Sequence, residues 1–130
     1  MRDQVVDKIK ALAITGFSVS DELPYEESGV PIYNKNPKRF YVDRTQFDST
    51  PVYQTLGGTN ISNTTTSVTV YFAVDAKNPP FQLDSVINSL RGLEDSIELA
   101  GTHTRECTVT TDYVGDLIVA EVDYRLTRIN

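Results

Sequence analysis

The chain has a single cysteine, no long apolar run and fewer bases than acids, and each shortage removes a class of protein. Cys107 alone cannot form an internal disulfide and fits a reducing compartment. No stretch approaches the ~20 consecutive apolar residues of a membrane helix, so no membrane partner is expected. The opening "MRDQVVDKIKALAITG" carries Asp3 and Asp7 where a secretory signal would be positive, and it has no continuous apolar block. The expectation is a protein retained in the cell that makes it, in which the sequons at Asn60 and Asn63 go unread. Lys and Arg number 12 against 18 Asp and Glu, for a net charge of −6 and a pI near 4.6. A general nucleic-acid binder needs bases to displace counterions from phosphates, so this balance argues against one. Gly57–Gly58 is too short for a phosphate loop, and no GxxxxGK[ST] motif occurs.

What is present reads as one globular domain spanning residues 1–130, with no linker and no internal repeat. Val5, Ile9, Leu12 and Ala13 fall at helical spacing, with Gly16 as the stop. Phe17 and Val19 alternate with serines as a short strand, and residues 21–31, with two prolines, a glycine and four acids, form a loop. "VPIYN" and "KRFYVD" flank the turn signal Lys35–Asn36–Pro37 and are expected to pair as a hairpin. After "PVYQTL" and the glycine pair, a long strand is expected from near Thr64. Thr66, Val68, Val70, Phe72 and Val74 lie on one face, as in an antiparallel or edge-type strand packed on one side. Leu83, Val86, Ile87, Leu90 and Leu93 make a second helical stripe, with Pro79 and Pro80 in its first turn and Asp84 favourable to its dipole. Two closing strands follow, joined at "YVGD", the second presenting Ile118, Ala120, Val122, Tyr124 and Leu126 on one face. The expected fold is α+β: a mainly antiparallel sheet, two principal helices packed on one face, and an extra β-hairpin or loop region.

Catalytic chemistry finds little support in these residues. His103 is the only histidine and lacks the soft ligands of a zinc site, so a solvated loop position is expected. Cys107, on a strand beside Val109, reads as a buried inert thiol. Asp112 and Asp116 flank a turn, and Asp123 lies on a polar strand face. In "VYFAVDAKNPP" the strand ends in Asp75 and Lys77, an unusual pair for acid–base work but ordinary at a strand-to-helix corner. The expectation is no catalytic residue, no metal and no cofactor.

The charge is uneven along the chain. Residues 21–27 hold Asp21, Glu22, Glu26 and Glu27 with no base, whereas residues 35–44 hold Lys35, Lys38, Arg39 and Arg44 against Asp43. These are either two solvated loops or complementary patches meeting across a subunit boundary. On the second reading Glu26, Glu27, Lys38, Arg39 and Arg44, with Asp75 and Lys77 at the corner, are candidates for a subunit or tube interface.

The amphipathic first helix, "YQTLGGTN", the strand "SVTVYFAVDAKNPP" running into "LDSVINSL", and the closing "RECTVTTDY" and "DLIVAEVDYRLTRIN" together resemble the tail terminator proteins of tailed bacteriophages. The resemblance spans nearly the whole chain as a pattern of elements. It implies a structural, non-enzymatic virion protein, assembled in the host cytoplasm, whose homo-hexameric ring sits at the head-proximal end of the tail. Such a ring caps the tail tube, ends its polymerisation and offers a surface for head joining. The implied partners are copies of itself, the tail tube protein and a head–tail connector or neck protein, with DNA only passing through the lumen. A head–tail connector or tail-completion protein is the nearest alternative; a small nucleic-acid-binding module or an enzyme stands further off.

Overall fold

The alternating strand predicted from the sequence is the axis of the molecule. The computed structural model describes the backbone of residues 1–54, 56–58, 60–77 and 83–128, and their side chains except at 50–54 and 60–62. In chain order the elements are α1 (Arg2–Leu12), β1 (Ser18–Val19), β2 (Arg39–Val42), β3 (Gln46–Gln54), β4 (Asn60–Asp75), α2 (Leu83–Arg91), a single 3-10 turn (Glu94–Ser96), β5 (His103–Val114) and β6 (Leu117–Arg128). They make an α+β fold with one mainly antiparallel sheet, ordered β1-β2-β4-β6-β5, with β3 also paired to β4.

Strand β4 lies inside the sheet rather than at its edge. On one side it pairs with β6 without a break from Thr64↔Arg128 to Asp75↔Leu117. On the other, β3 pairs with its first half and β2 with Val70 and Tyr71. β5 and β6 match equally regularly, from His103↔Arg128 to Val114↔Leu117. Gly115 in the connecting turn takes φ +60, a left-handed conformation that a tight hairpin requires and a side chain disfavours.

The period-two reading of β4 and β6 gives the core directly. Val68, Val70, Phe72 and Val74 of β4, with Ala120, Val122, Tyr124 and Leu126 of β6, share one buried cluster with Val5, Val6 and Ile9 of α1 and Val86 and Leu90 of α2. Each fully buried side chain of this size stabilises the fold by ~1.5–3 kcal/mol. Tyr124 keeps its polar end satisfied by donating its hydroxyl to the Leu90 carbonyl, one of the last-turn acceptors that helix α2 cannot use itself. Arg2 donates through Nε to the Val42 carbonyl at 2.9 Å, and Gln4 Nε2 reaches the Glu98 carbonyl at 3.0 Å, which fastens α1 at both sides.

Several local expectations are corrected. No hairpin joins "VPIYN" to "KRFYVD": residues 30–34 contribute only an isolated bridge, Tyr25↔Pro31, and β2 pairs with β1 and β4 instead. The reason is that Tyr33 is used as a ring, stacked on Tyr71 at 4.8 Å, and not as a strand residue. Helix α1 stops at Ala13, in the left-handed region at φ 48 with its N–H donating to the Lys10 carbonyl, before Gly16 is reached. His103 opens β5 rather than sitting in a loop, Asp112 lies within that strand, and Cys107 is half-buried, not buried. The long strand starts at Asn60, four residues before the expected point. Pro79 and Pro80 lie outside the described residues.

Candidate subunit interface

The seven residues singled out for an interface fall into separate places. Glu26 sits in a tight turn, its N–H donating to the Val30 carbonyl at 2.9 Å while Gly29 N–H donates back to the Glu26 carbonyl at 2.8 Å. Its carboxylate pairs with Lys35 Nζ at 3.5 Å, so one acid–base contact between the two charged segments is made within the chain. Glu27 and Arg44 are exposed and, with Glu26, line a small cleft beside Leu23, Tyr25 and Asp43. There Asp43 Oδ1 accepts from the Arg44 N–H at 2.8 Å.

Lys38, Asp75 and Lys77 gather at one end of the sheet. Lys38 adopts φ +60, its N–H donating to the Ala73 carbonyl at 2.7 Å and its carbonyl accepting from Ser18 N–H at 3.1 Å. Asp75 Oδ1 accepts from the Lys77 N–H at 2.9 Å, a local side-chain turn that ends β4. The Lys77 ammonium turns away to Asp116 Oδ2 at 3.6 Å, and Ala76 N–H donates to the Asp116 carbonyl at 2.7 Å. The Asp75–Lys77 cluster therefore builds a corner that ties the end of β4 to the β5–β6 turn. Arg39 stands beside them, half-buried, its guanidinium carbon 5.9 Å from the Tyr41 ring centre and its Nε without a partner.

The outer face of the sheet carries a tyrosine cluster. Tyr25 and Tyr33, both from the loop, meet Tyr71 of β4 with ring centres 5.6 and 4.8 Å away. Tyr41 is fully buried beside them, its hydroxyl accepting from Asn36 Nδ2 at 3.0 Å. Burial, then the neighbouring Tyr25, pushes the Tyr33 hydroxyl up to about 12, and Tyr71 moves in the same direction for the same reasons. The only available signal was the recurrence of tyrosine in a segment otherwise rich in turn residues. Further along this face, Asp123 accepts from Thr69 Oγ1 at 3.1 Å and from Arg125 Nε at 2.7 Å.

On the inner face, among the described residues, two rings are left in water. Phe47 of β3 pairs with Thr66 and Tyr113 of β5 with Ile118, both inward positions, yet they are 75% and 72% exposed. Tyr113 borders a groove of about 580 Å³ between α2 and β5, walled by Leu83, Ile87, Val109 and Ile118, with Asp84 and Arg91 among its lining residues.

Burial, with Glu94 second, pushes the Cys107 thiol up to about 11, the opposite of nucleophile activation. Among the described residues no cluster of His, Cys, Asp and Glu could hold a metal ion, and no helix is long and apolar enough to cross a membrane. No protein-family model matches the chain, and a search of the curated proteins finds no matching sequence.

Proposed function

We propose that this chain is a structural subunit of a tail-terminator ring: six copies close on the head-proximal end of a phage tail tube, stop its growth and present a surface to the neck. The observation that carries this reading is the β3–β4 hairpin. Strand β4 begins at Asn60, whereas its described pairing with β6 begins at Thr64, so the hairpin runs on past the last described residue of β6. Leu56 at its tip is fully exposed, and no charged residue occurs between Asp48 and Asp75. A long hairpin with no charge and an exposed apolar tip suits a permanent protein partner better than solvent.

In this reading both helices pack on the inner face of the sheet, and assembly contacts use its ends and edges. Glu27, Arg44, Lys38 and Arg39 keep exposed or half-exposed charge for a neighbouring subunit or the tube, and the Asp75–Lys77 corner holds its end of the sheet in shape. The ring has no catalytic role, and its net negative charge lets DNA pass through the lumen without adhering. Electron microscopy of the purified protein, alone and mixed with tail tubes, tests the proposal. Rings alone and a cap at one end of each tube are expected; unbound tubes beside the protein would sink it.

A further inference from the structure

Apart from the two-residue β1, two strands have an unpaired side among the described residues. β3 bonds only to β4, and β5 only to β6. Open strands of this length template further pairing unless charge, proline or irregularity blunts them. β5 runs from His103 to Val114 with no break in register. β3 shows one irregularity, between Pro51 and Tyr53, which leaves Gln46–Pro51 as its regular part. Its neighbour β2, by contrast, has its outer side closed by β1 and by Arg2.

The two open sides match in direction, face and side chain. β3 and β6 both run antiparallel to β4, and β5 runs antiparallel to β6, so β3 and β5 are antiparallel to each other. A second copy placed by continuing the sheet therefore sets its β3 antiparallel to β5 of the first. Residues opposed across such a pair share a face. Phe47 and Tyr113 are both inward, both at an open edge and both largely exposed; Phe47 borders a hollow of about 220 Å³ beside Leu99 and Ala100. We propose that copies of this chain join by pairing the free side of β3 in one copy with the free side of β5 in the next, with Phe47 seated in the α2–β5 groove between Val109 and Tyr113.

Charge selects the register. Phe47 opposite Tyr113 would set Asp48 against Asp112, two like charges on one face. Moved by two residues, Phe47 faces Thr111 with Val109 and Tyr113 on either side, Asp48 faces Thr110 and Gln46 faces Asp112. At ~150–250 Å² each the two rings supply a substantial part of the ~1,200–2,000 Å² of a stable interface, and the ladder and groove walls contribute the remainder. The two surfaces differ, so the contact is heterologous and repeats until it closes. It deepens the ring reading and rests on it.

The test pairs a cross-link with an interface break. In a Cys107→Ser background, Asp48→Cys together with Thr110→Cys should give, on mild oxidation, a ladder of covalent oligomers that reductant collapses to monomer. Neither single variant should do so. In the otherwise unaltered protein, Phe47→Asp should raise the apparent dissociation constant at least ~30-fold by sedimentation, as loss of a buried aromatic anchor does. At concentrations low enough for both proteins to be monomeric its circular dichroism melt should be unchanged, because the ring is exposed in the single subunit. Rings that persist in Phe47→Asp and never cross-link at 48–110 overturn this interface and leave the ring reading standing. Dimers from Thr110→Cys alone show β5 pairing with itself and overturn it as well. Cross-linked rings that ignore tail tubes overturn the tube reading while keeping the interface, and a chain monomeric at all concentrations overturns both.

Discussion

The two faces of the sheet are closed by different means. On the inner face, Val68, Val70, Phe72 and Val74 are at most 1% exposed and share one buried cluster with Val5, Val6, Ile9, Val86 and Leu90. On the outer face Tyr41 is as deeply buried and Tyr71 nearly so, but what lies over Tyr71 is a loop that spends two tyrosines on it. A helix delivers a stripe of modest side chains at fixed spacing, each contributing a little. A loop has no such period, so it must cover the sheet with few large rings whose hydroxyls tolerate the adjacent water.

If that comparison holds, the faces should respond unequally to truncation. The largest effect is expected at Phe72→Ala, which removes a fully buried ring from the inner cluster and should cost ~3–5 kcal/mol in chemical denaturation. Tyr33→Ala removes a half-buried ring from the loop and should cost roughly 1–2 kcal/mol. A Tyr33 loss equal to that of Phe72 would break the distinction between the two kinds of cover.

The tyrosine face also carries its own pH signature. Tyr33 holds its proton up to about 12 in the folded protein against 10.0 for the ordinary side chain. The folded state therefore binds that proton more tightly than the unfolded chain does. The resulting stability is complete below about pH 10 and is lost as the pH rises from there through about 12. Tyr33→Phe keeps the ring and should lessen this alkaline decline, with Tyr71 still contributing, in melts recorded across that window.

Smaller effects lie at the margins of both faces. Ile87, a half-buried wall of the groove, should cost ~1–2 kcal/mol on truncation to Ala, less than a core isoleucine. Glu26→Gln, which removes the exposed pair with Lys35, should change stability by less than ~1 kcal/mol, and high salt should erase the difference.

What could be read from the sequence follows the same division. The inner stripes of β4 and β6 were legible residue by residue, because alternation reports a face that must be apolar; in α2 helical spacing found Val86 and Leu90, while Leu83 and Ile87 are only half-buried and Leu93 lies beyond the helix. The element order and the β5–β6 turn at Gly115 were legible for similarly local reasons. The loop over the outer face was not: Tyr25 and Tyr33 bury a ring without any period, and "VPIYN" has strand composition although Tyr33 contributes its side chain instead of its backbone. The β2–β4 pairing escaped because it joins segments about thirty residues apart that share no turn signal. At the candidate interface the charges were visible in the sequence, but not that Lys35 answers Glu26 within the chain or that Lys77 turns to Asp116. Phe47 and Tyr113 carried no signal of their own, since an unpacked inward ring is recognisable only once the strand register is known.

The strand between β4 and β5 is β6, which follows both of them in the chain. Among the described residues β5 has no other strand partner, and Thr64 must wait for Arg128 before its second side is paired. During synthesis the apolar face of β4, and β5 after it, are therefore made before the strand that joins them. Such a sequence-distant closure slows folding and lengthens the time for which unpaired edges are open to other chains. The uncharged stretch between Asp48 and Asp75 lies within that interval, so efficient production depends on how quickly β6 inserts.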